Sequence, residues 1–315
     1  MAVSQHLPFL MDEVFNRPHL ISTAKAEMIV SVLAGKMDIR ALAGEFKHYD
    51  QRGMEDLAEM GRLEAREKKQ KMSAHSGTAK HRGAGLPYEL TDSGIAVLPV
   101  QGTLRRTWGI GPYSGATGYD GLWTQLMHAI SNPDVKAIWM NHNSGGGAVD
   151  GLFDLAEAIY ANSARFGGKP IWAMAADSAL SASYALAAAC DKVFVPRLGM
   201  VGSIGAVIVH ATAARQLEED GIDVTVFRSK ERKMRGNAAE PLDEEMAEKF
   251  QSLVDEVDEV FVESVAKWRG LSKKAVHETR ADVYTGKQAL ATGLVNDVLT
   301  EPEAWMKLER KIARN

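Results

Sequence analysis

Three short apolar runs, Ile95–Val100, Ala137–Met140 and Pro170–Ala175, are each followed by a stretch that reads as a helix, the last of them short and Ala-rich. Those stretches are Tyr119–Ile130, Val149–Tyr160 and Ser181–Cys190; the second carries Leu152, Phe153, Leu155, Ala156 and Ile159 on one face. This alternation constrains the fold more than any other feature of the chain. Strands joined through helices of this length pair in parallel, because an antiparallel neighbour needs only a tight turn. Further strands are expected at Lys192–Val195, Ala206–Val209 and Val224–Phe227, and a long helix at Asp243–Trp268. The expected class is α/β, a largely parallel sheet with helices on its faces. In such sheets, sites form beyond the carboxyl ends of the strands.

The remainder divides by composition. Residues 1–61 read as a helical N-terminal region, with Met28, Ile29, Val32, Leu33, Met37, Ile39, Leu42 and Phe46 lining one face of Ala24–Phe46. Residues 62–86 are basic, polar and aperiodic, which describes a solvated flexible linker better than a nucleic-acid-binding arm. Residues 87–300 hold the α/β pattern, and 301–315 are expected as a C-terminal tail. A net charge of −4 gives no footing for nucleic acid as a bulk partner. The single cysteine, Cys190, rules out an internal disulfide and suits a reducing compartment. No run approaches the roughly 18 apolar residues of a membrane span, and Met1–Pro8 lacks the order of a secretory signal. The expectation is a cytoplasmic protein without a membrane partner.

Chemistry concentrates in two places. Asn143-Ser-Gly-Gly-Gly-Ala-Val149 ends the second apolar run, and its bare glycines free backbone N–H groups to face a ligand oxygen. Ser181-Ala-Ser-Tyr184 opens the next strand–helix unit, close enough in topology to stand beside that cradle. A hydroxyl facing paired N–H donors is the arrangement of acyl-transfer enzymes. The Gly-x-Ser-x-Gly signature is absent; His142 and His210 keep a histidine base open, although each reads more simply as a structural residue. The other base for a serine is a neutral lysine. Lys230 and Lys233 both lie in the basic loop after Val224–Phe227, and spacing alone does not choose between them. Ser183 is a rival nucleophile.

The ordered set Asn143-Ser-Gly-Gly-Gly, Ser181-Ala-Ser-Tyr, Asp191-Lys-Val-Phe, Gly202-Ser-Ile-Gly-Ala, Gly221-Ile-Asp-Val, Lys233 and Val283-Tyr-Thr-Gly-Lys-Gln-Ala-Leu resembles the signal peptide peptidase A (protease IV) family. Pro112–Tyr119 and Gly236-Asn237 bring it nearest the lambda-type branch that matures the heads of tailed bacteriophages. The resemblance runs from about Gly94 to Val298 and implies a ClpP/crotonase-like fold with a Ser/Lys dyad. It implies Ser181 as nucleophile, Lys233 rather than Lys230 as base, Gly147 and the N–H of Ala182 as oxyanion donors, and Gly146 as the shaper of the turn. More weakly, it puts Ser203 and Gly202 along the substrate groove. It also implies a homo-oligomeric ring, protein substrates among scaffold, capsid or portal-associated proteins and the chain itself, action inside a procapsid in the host cytoplasm, and no cofactor or metal. The chain departs from the family in having Gly145 where proline is usual, and Ala182 and Ser183 where glycine follows the nucleophile. The Ala- and Gly-rich surroundings of Ser181 suit small apolar residues at the cleaved position.

Three other readings stand beside this one. Gly145–Gly151 approximates a dinucleotide fingerprint, but its last glycine falls one position late and no acidic residue follows at the expected distance. A crotonase-type lyase or hydratase acting on a coenzyme A thioester would use the same paired N–H donors, with Asp150 and Asp177 as its nearest carboxylates. The third is a catalytically silent capsid or scaffold component.

Overall fold

The apolar runs form the centre of a parallel sheet, as their alternation with helices requires. The computed structural model describes residues 17–22, 86–112 and 115–314. The expected helix Ala24–Phe46 and residues 62–85 of the expected linker lie outside the described residues. Strands run in chain order as β1 His19–Ile21, β2 Glu89–Leu90, β3 Ile95–Gln101, β4 Thr103–Arg105, β5 Ala116–Gly118, β6 Ala137–Ser144, β7 Gly146–Ala148, β8 Ile171–Leu180, β9 Lys192–Val195, β10 Met200–Gly202, β11 Val283–Thr285 and β12 Asp297–Val298. The helices are α1 Tyr119–Ser131, α2 Leu152–Ala161, α3 Ala182–Ala189, α4 Ala214–Glu219, α5 Glu244–Arg269, α6 Lys273–His277, α7 Gly286–Ala291 and α8 Glu301–Ile312.

The larger sheet has the order β11-β10-β8-β6-β3-β2, with β9 also on β8 and β12 on β9. Pairings β3·β6, β6·β8, β8·β9 and β8·β10 are parallel, while β2 and β11 close the edges antiparallel. A second sheet, β1-β7-β4-β5, forms where β3 and β6 turn off the main sheet into β4 and β7. One face of the main sheet is covered by the helical core, in which every residue of α3 is buried. The other face packs Trp139, Trp172, Met174 and Phe194 against Ala304, Leu308 and Ile312 of α8. Residues 301–315, expected as a tail, therefore contain a helix that seals the sheet; its Thr300–Glu303 capping box sets its start.

Two sequence expectations need correction. Ala206–Val209 and Val224–Phe227 are not strands: Val207 makes only an isolated bridge to His19, and Val224–Phe227 has no ladder. Ala206–Val209 meets β1 only at Val207, too short a pairing to make a strand, and Val224 and Phe227 stand exposed. Conversely, β6 and β8 run well past their apolar stretches, through Asn141–Ser144 and Ala176–Leu180. This extension brings their carboxyl ends to the glycine loop and to Ser181.

Candidate active site

Ser181 occupies the one residue between the end of β8 and the start of α3. Its backbone is at φ 54°, ψ −120°, a conformation that L-residues rarely adopt. Two main-chain bonds hold it there: the Ser181 N–H donates to the Gly202 carbonyl at 2.8 Å, and the Ala185 N–H donates to the Ser181 carbonyl at 3.0 Å. A serine at a helix start normally turns its hydroxyl onto the first-turn N–H groups. Ser181 does not: its hydroxyl makes no cap bond and has no hydrogen-bond partner among the described residues, although the residue is fully buried. The strained strand-to-helix turn thus delivers an uncommitted Oγ to the positive end of α3, where negative charge is favoured.

The glycine loop lies directly against it. A Cβ built on Gly146, at φ +96°, would stand 2.2 Å from the Leu20 carbonyl oxygen, 3.0 Å from the Ser181 Cβ and 3.1 Å from the Ala182 nitrogen. A Cβ on Gly147 would stand 1.9 Å from the Leu104 carbonyl oxygen. Both positions therefore admit only hydrogen, Gly146 because the backbone of Leu20 and Ala182 closes on it, Gly147 because β4 does. Ser144 fixes the loop: its hydroxyl donates to the Gly102 carbonyl at 2.6 Å and accepts the Gly146 N–H at 3.1 Å. The Gly146 N–H is thereby engaged within the loop, beside the Ala182 nitrogen. Ser144 is a positioning residue that sequence reasoning passed over, although it sits inside the Asn143–Val149 motif.

Ser181, Ala182, Gly146 and Gly147 thus converge, and Gly202 joins them through its carbonyl. Ser203, at φ 54° and nearly buried, is held by its N–H to the Asp282 carbonyl at 2.8 Å. Lys233 is apart: it is exposed on a turn closed by its own N–H to the Lys230 carbonyl at 3.0 Å, and it makes no hydrogen bond to Ser181. Arg228 donates to the Lys233 carbonyl at 2.9 Å and pairs with Glu240, while Arg235 pairs with Asp243 and Glu245 at the start of α5. Around this turn Ile222, Val224, Phe227 and Met234 are exposed, Phe227 at 94%.

The rival groups are placed as follows. The hydroxyl of Ser183 lies 2.9 Å from Nδ1 of His142, and both residues are completely buried. Burial pushes the His142 imidazole down to about 3, so it is neutral near pH 7. His210 packs its ring tilted against Phe250, at 5.7 Å between ring centres, and its pKa is lowered by partial burial. Asp150 and Asp177 are both exposed.

The model of Peptidase family S49 matches residues 163–313. The chain is 33% identical over 302 residues to the "Capsid assembly protease C" of Escherichia phage lambda, covering 95% of this chain and 65% of that protein. It is 33% identical over 303 residues to the "Head-tail preconnector protein GP5" of Enterobacteria phage P21, covering 95% and 56%. A "Putative signal peptide peptidase SppA" of Enterococcus faecium is 30% identical over 195 residues, covering 60% and 55%. The chain thus spans less than two thirds of the length of the two phage proteins. Among solved structures, an enoyl-CoA hydratase/isomerase family member superposes with a TM-score of 0.43 at 15% identity, covering 76% of this chain and 77% of that one. A ClpP1 mutant from Listeria monocytogenes gives 0.42 at 14%, covering 67% and 94%. Residues 163–313 thus carry a peptidase S49 domain, and the chain is similar to the two phage proteins over nearly all of its own length.

Proposed function

We propose that the chain is a serine endopeptidase in which Ser181 is the nucleophile, Lys233 the general base, and the N–H groups of Gly147 and Ala182 the oxyanion donors. The observation that carries this reading is the backbone of Ser181, strained at φ 54° with an uncommitted hydroxyl against the Gly146 turn. Attack by the hydroxyl on a peptide carbonyl places the developing charge between those two donors, each worth roughly 3–4 kcal/mol in comparable sites. Lys233 takes the serine proton and returns it to the leaving amine, and water then hydrolyses the acyl-enzyme.

For Lys233 to act it must meet Ser181 and lose water. The exposed apolar side chains of Ile222, Val224, Phe227 and Met234 around its turn support a homo-oligomer in which a second copy covers that segment. Covering the turn desolvates the lysine amine and favours its neutral, proton-accepting form. The phage relatives support head proteins as substrates, cut during maturation inside a procapsid. Among the described residues no helix is long and apolar enough to cross a membrane.

The test compares wild type with Ser181→Ala and Lys233→Ala, using a serine-directed phosphonate and the capsid and scaffold proteins of the same phage. Wild type is expected to be labelled at Ser181 and to cut at least one of them, with both variants slower by about a thousandfold or more. Undiminished cutting by Ser181→Ala would end the reading.

A second reading follows from the hydrogen bond between His142 and Ser183, which makes Ser183 the nucleophile and neutral His142 its base. Its weakness is that Nε2 of His142 has no partner to orient the ring, and neither side chain touches solvent. Labelling at Ser183 would favour it.

A further inference from the structure

The short strand β1 belongs to no part of the alternating pattern, yet its backbone is bound on both sides. On one side it pairs antiparallel with β7, in the register His19 to Ala148, Leu20 to Gly147 and Ile21 to Gly146. The Ser22 N–H extends this edge by donating to the Gly145 carbonyl at 2.9 Å. On the other side His19 exchanges both main-chain bonds with Val207, N–H to carbonyl at 2.8 Å and the reverse at 2.9 Å. Main-chain groups alternate sides along a strand. Since those of His19 face Val207 and that of Ser22 faces β7, the N–H and C=O of Leu20 turn toward β7, opposite Gly147.

The place of that carbonyl is the telling part. Its oxygen, the Ser181 Cβ and the Ala182 nitrogen surround the methyl-sized point that a Cβ on Gly146 would fill, at 2.2, 3.0 and 3.1 Å. The Leu20 carbonyl oxygen therefore lies beside the nucleophile, on the side of the Gly147 and Ala182 N–H groups. The Leu20 side chain is wholly buried in the main core cluster. An extended segment held by strand addition, with one carbonyl at the oxyanion donors and one side chain in an apolar pocket, is how a peptidase grips a peptide.

We propose that Arg17–Ser22 lies in the substrate groove as the chain's own substrate strand, presenting the Leu20–Ile21 peptide bond to Ser181 for self-cleavage. The proposal rests on the peptidase reading above. In the reaction Ser181 Oγ bonds to the Leu20 carbonyl carbon while its proton passes to the Lys233 amine. The carbon–nitrogen bond to Ile21 breaks, and that proton goes to the Ile21 nitrogen. Water then opens the ester, leaving a Leu20 carboxylate, a new amino terminus at Ile21 and a restored Ser181. The groove between β7 and Ala206–Val207 is also where other substrates bind, with a leucine-sized aliphatic residue at the cleaved position. That preference replaces the small residue expected from the sequence around Ser181.

The experiment uses the full chain at the concentration at which it assembles, read by intact mass and N-terminal sequencing over time. In parallel, the peptide Arg-Pro-His-Leu-Ile-Ser and its Leu→Gly version are offered as substrates, together with the phage's capsid and scaffold proteins. The expected result is a product beginning at Ile21 from wild type and none from Ser181→Ala, with the peptide cut between Leu and Ile at least tenfold faster than its glycine version. The peptide arm holds even if substitutions at Leu20 in the chain prevent folding. Serine-dependent cutting of a head protein with the chain's own Leu20–Ile21 bond and the peptide both intact would overturn this proposal and leave the peptidase reading standing. No serine-dependent cutting of any of these substrates would overturn both.

Discussion

The imidazole of His142 and the hydroxyl of Ser183 share a 2.9 Å hydrogen bond in a site from which water is shut out. Burial disfavours the imidazolium, so the folded protein holds His142 neutral down to about pH 3, whereas the unfolded chain takes a proton near 6.5. Between those values the unfolded state binds more protons, and stability must rise with pH. The contribution is complete above pH 6.5 and is lost as pH falls toward about 3. Urea melts across that window are expected to show a His142→Gln variant whose pH slope is shallower by about 1.4 kcal/mol per unit. Equal slopes in the two proteins would show that His142 does not govern the acid limb.

Ser181→Gly is expected to separate stability from activity. Glycine adopts φ 54° without the Cβ penalty, so the variant should unfold at higher denaturant, a gain of about 1 kcal/mol or more. Phosphonate labelling should vanish at the same time. A variant less stable than wild type would mean that the hydroxyl, and not the strain, dominates at that turn.

Ser144→Ala removes the hydroxyl that joins the Gly102 carbonyl to the Gly146 N–H. Two groups of a tight loop then lose a partner, at a cost of about 1–3 kcal/mol. Because the loop sets the direction of the Gly147 N–H, kcat is expected to fall by more than tenfold with KM nearly unchanged. Partial recovery in Ser144→Thr would tie the loss to the hydroxyl itself.

Gly146→Ala should be worse for activity than Ser144→Ala. Its methyl would meet the Leu20 carbonyl oxygen at 2.2 Å on a backbone already at φ +96°. Either β1 leaves or the loop moves, and in both cases a peptide carbonyl can no longer sit against Ser181. Cleavage is expected to drop at least a hundredfold, measured with a peptide substrate under saturating conditions.

How much of this could be read from the sequence differs from element to element. The helices over 119–131 and 244–269 lie close to their expected bounds because their apolar faces repeat at helical spacing. Strand β6 was legible only to Met140: Asn141, His142, Asn143 and Ser144 continue it with side chains that hydropathy assigns to a loop. The second sheet left no trace at all. Each of its strands is three residues long, and Gly146-Gly147-Ala148 has no alternation to detect. Val224–Phe227 shows the reverse error, a strand-like run with nothing beside it to pair with. At the candidate site, the residue types pointed to Ser181 and the glycines, but the backbone torsion that supports Ser181 over Ser183 in the proposed reading is not encoded in composition.

Phe227→Asp tests the covered turn. With its ring 94% exposed in the single chain, the substitution should leave the monomer's stability within about 0.5 kcal/mol. Light scattering after gel filtration is expected to show loss of the assembled species, with peptidase activity lost alongside it. Intact assembly would place the contact elsewhere.

Tyr184, three residues beyond Ser181, donates its phenol to the Leu294 carbonyl at 2.8 Å, and Gly202, which anchors the Ser181 N–H, belongs to a strand backed by Val283–Thr285. The turn that carries Ser181 is therefore braced by segments made about a hundred residues later in synthesis. A nascent chain still short of Leu294 lacks the partners that hold this turn, so under the proposed reading Ser181 becomes competent only after those later segments have joined the sheet.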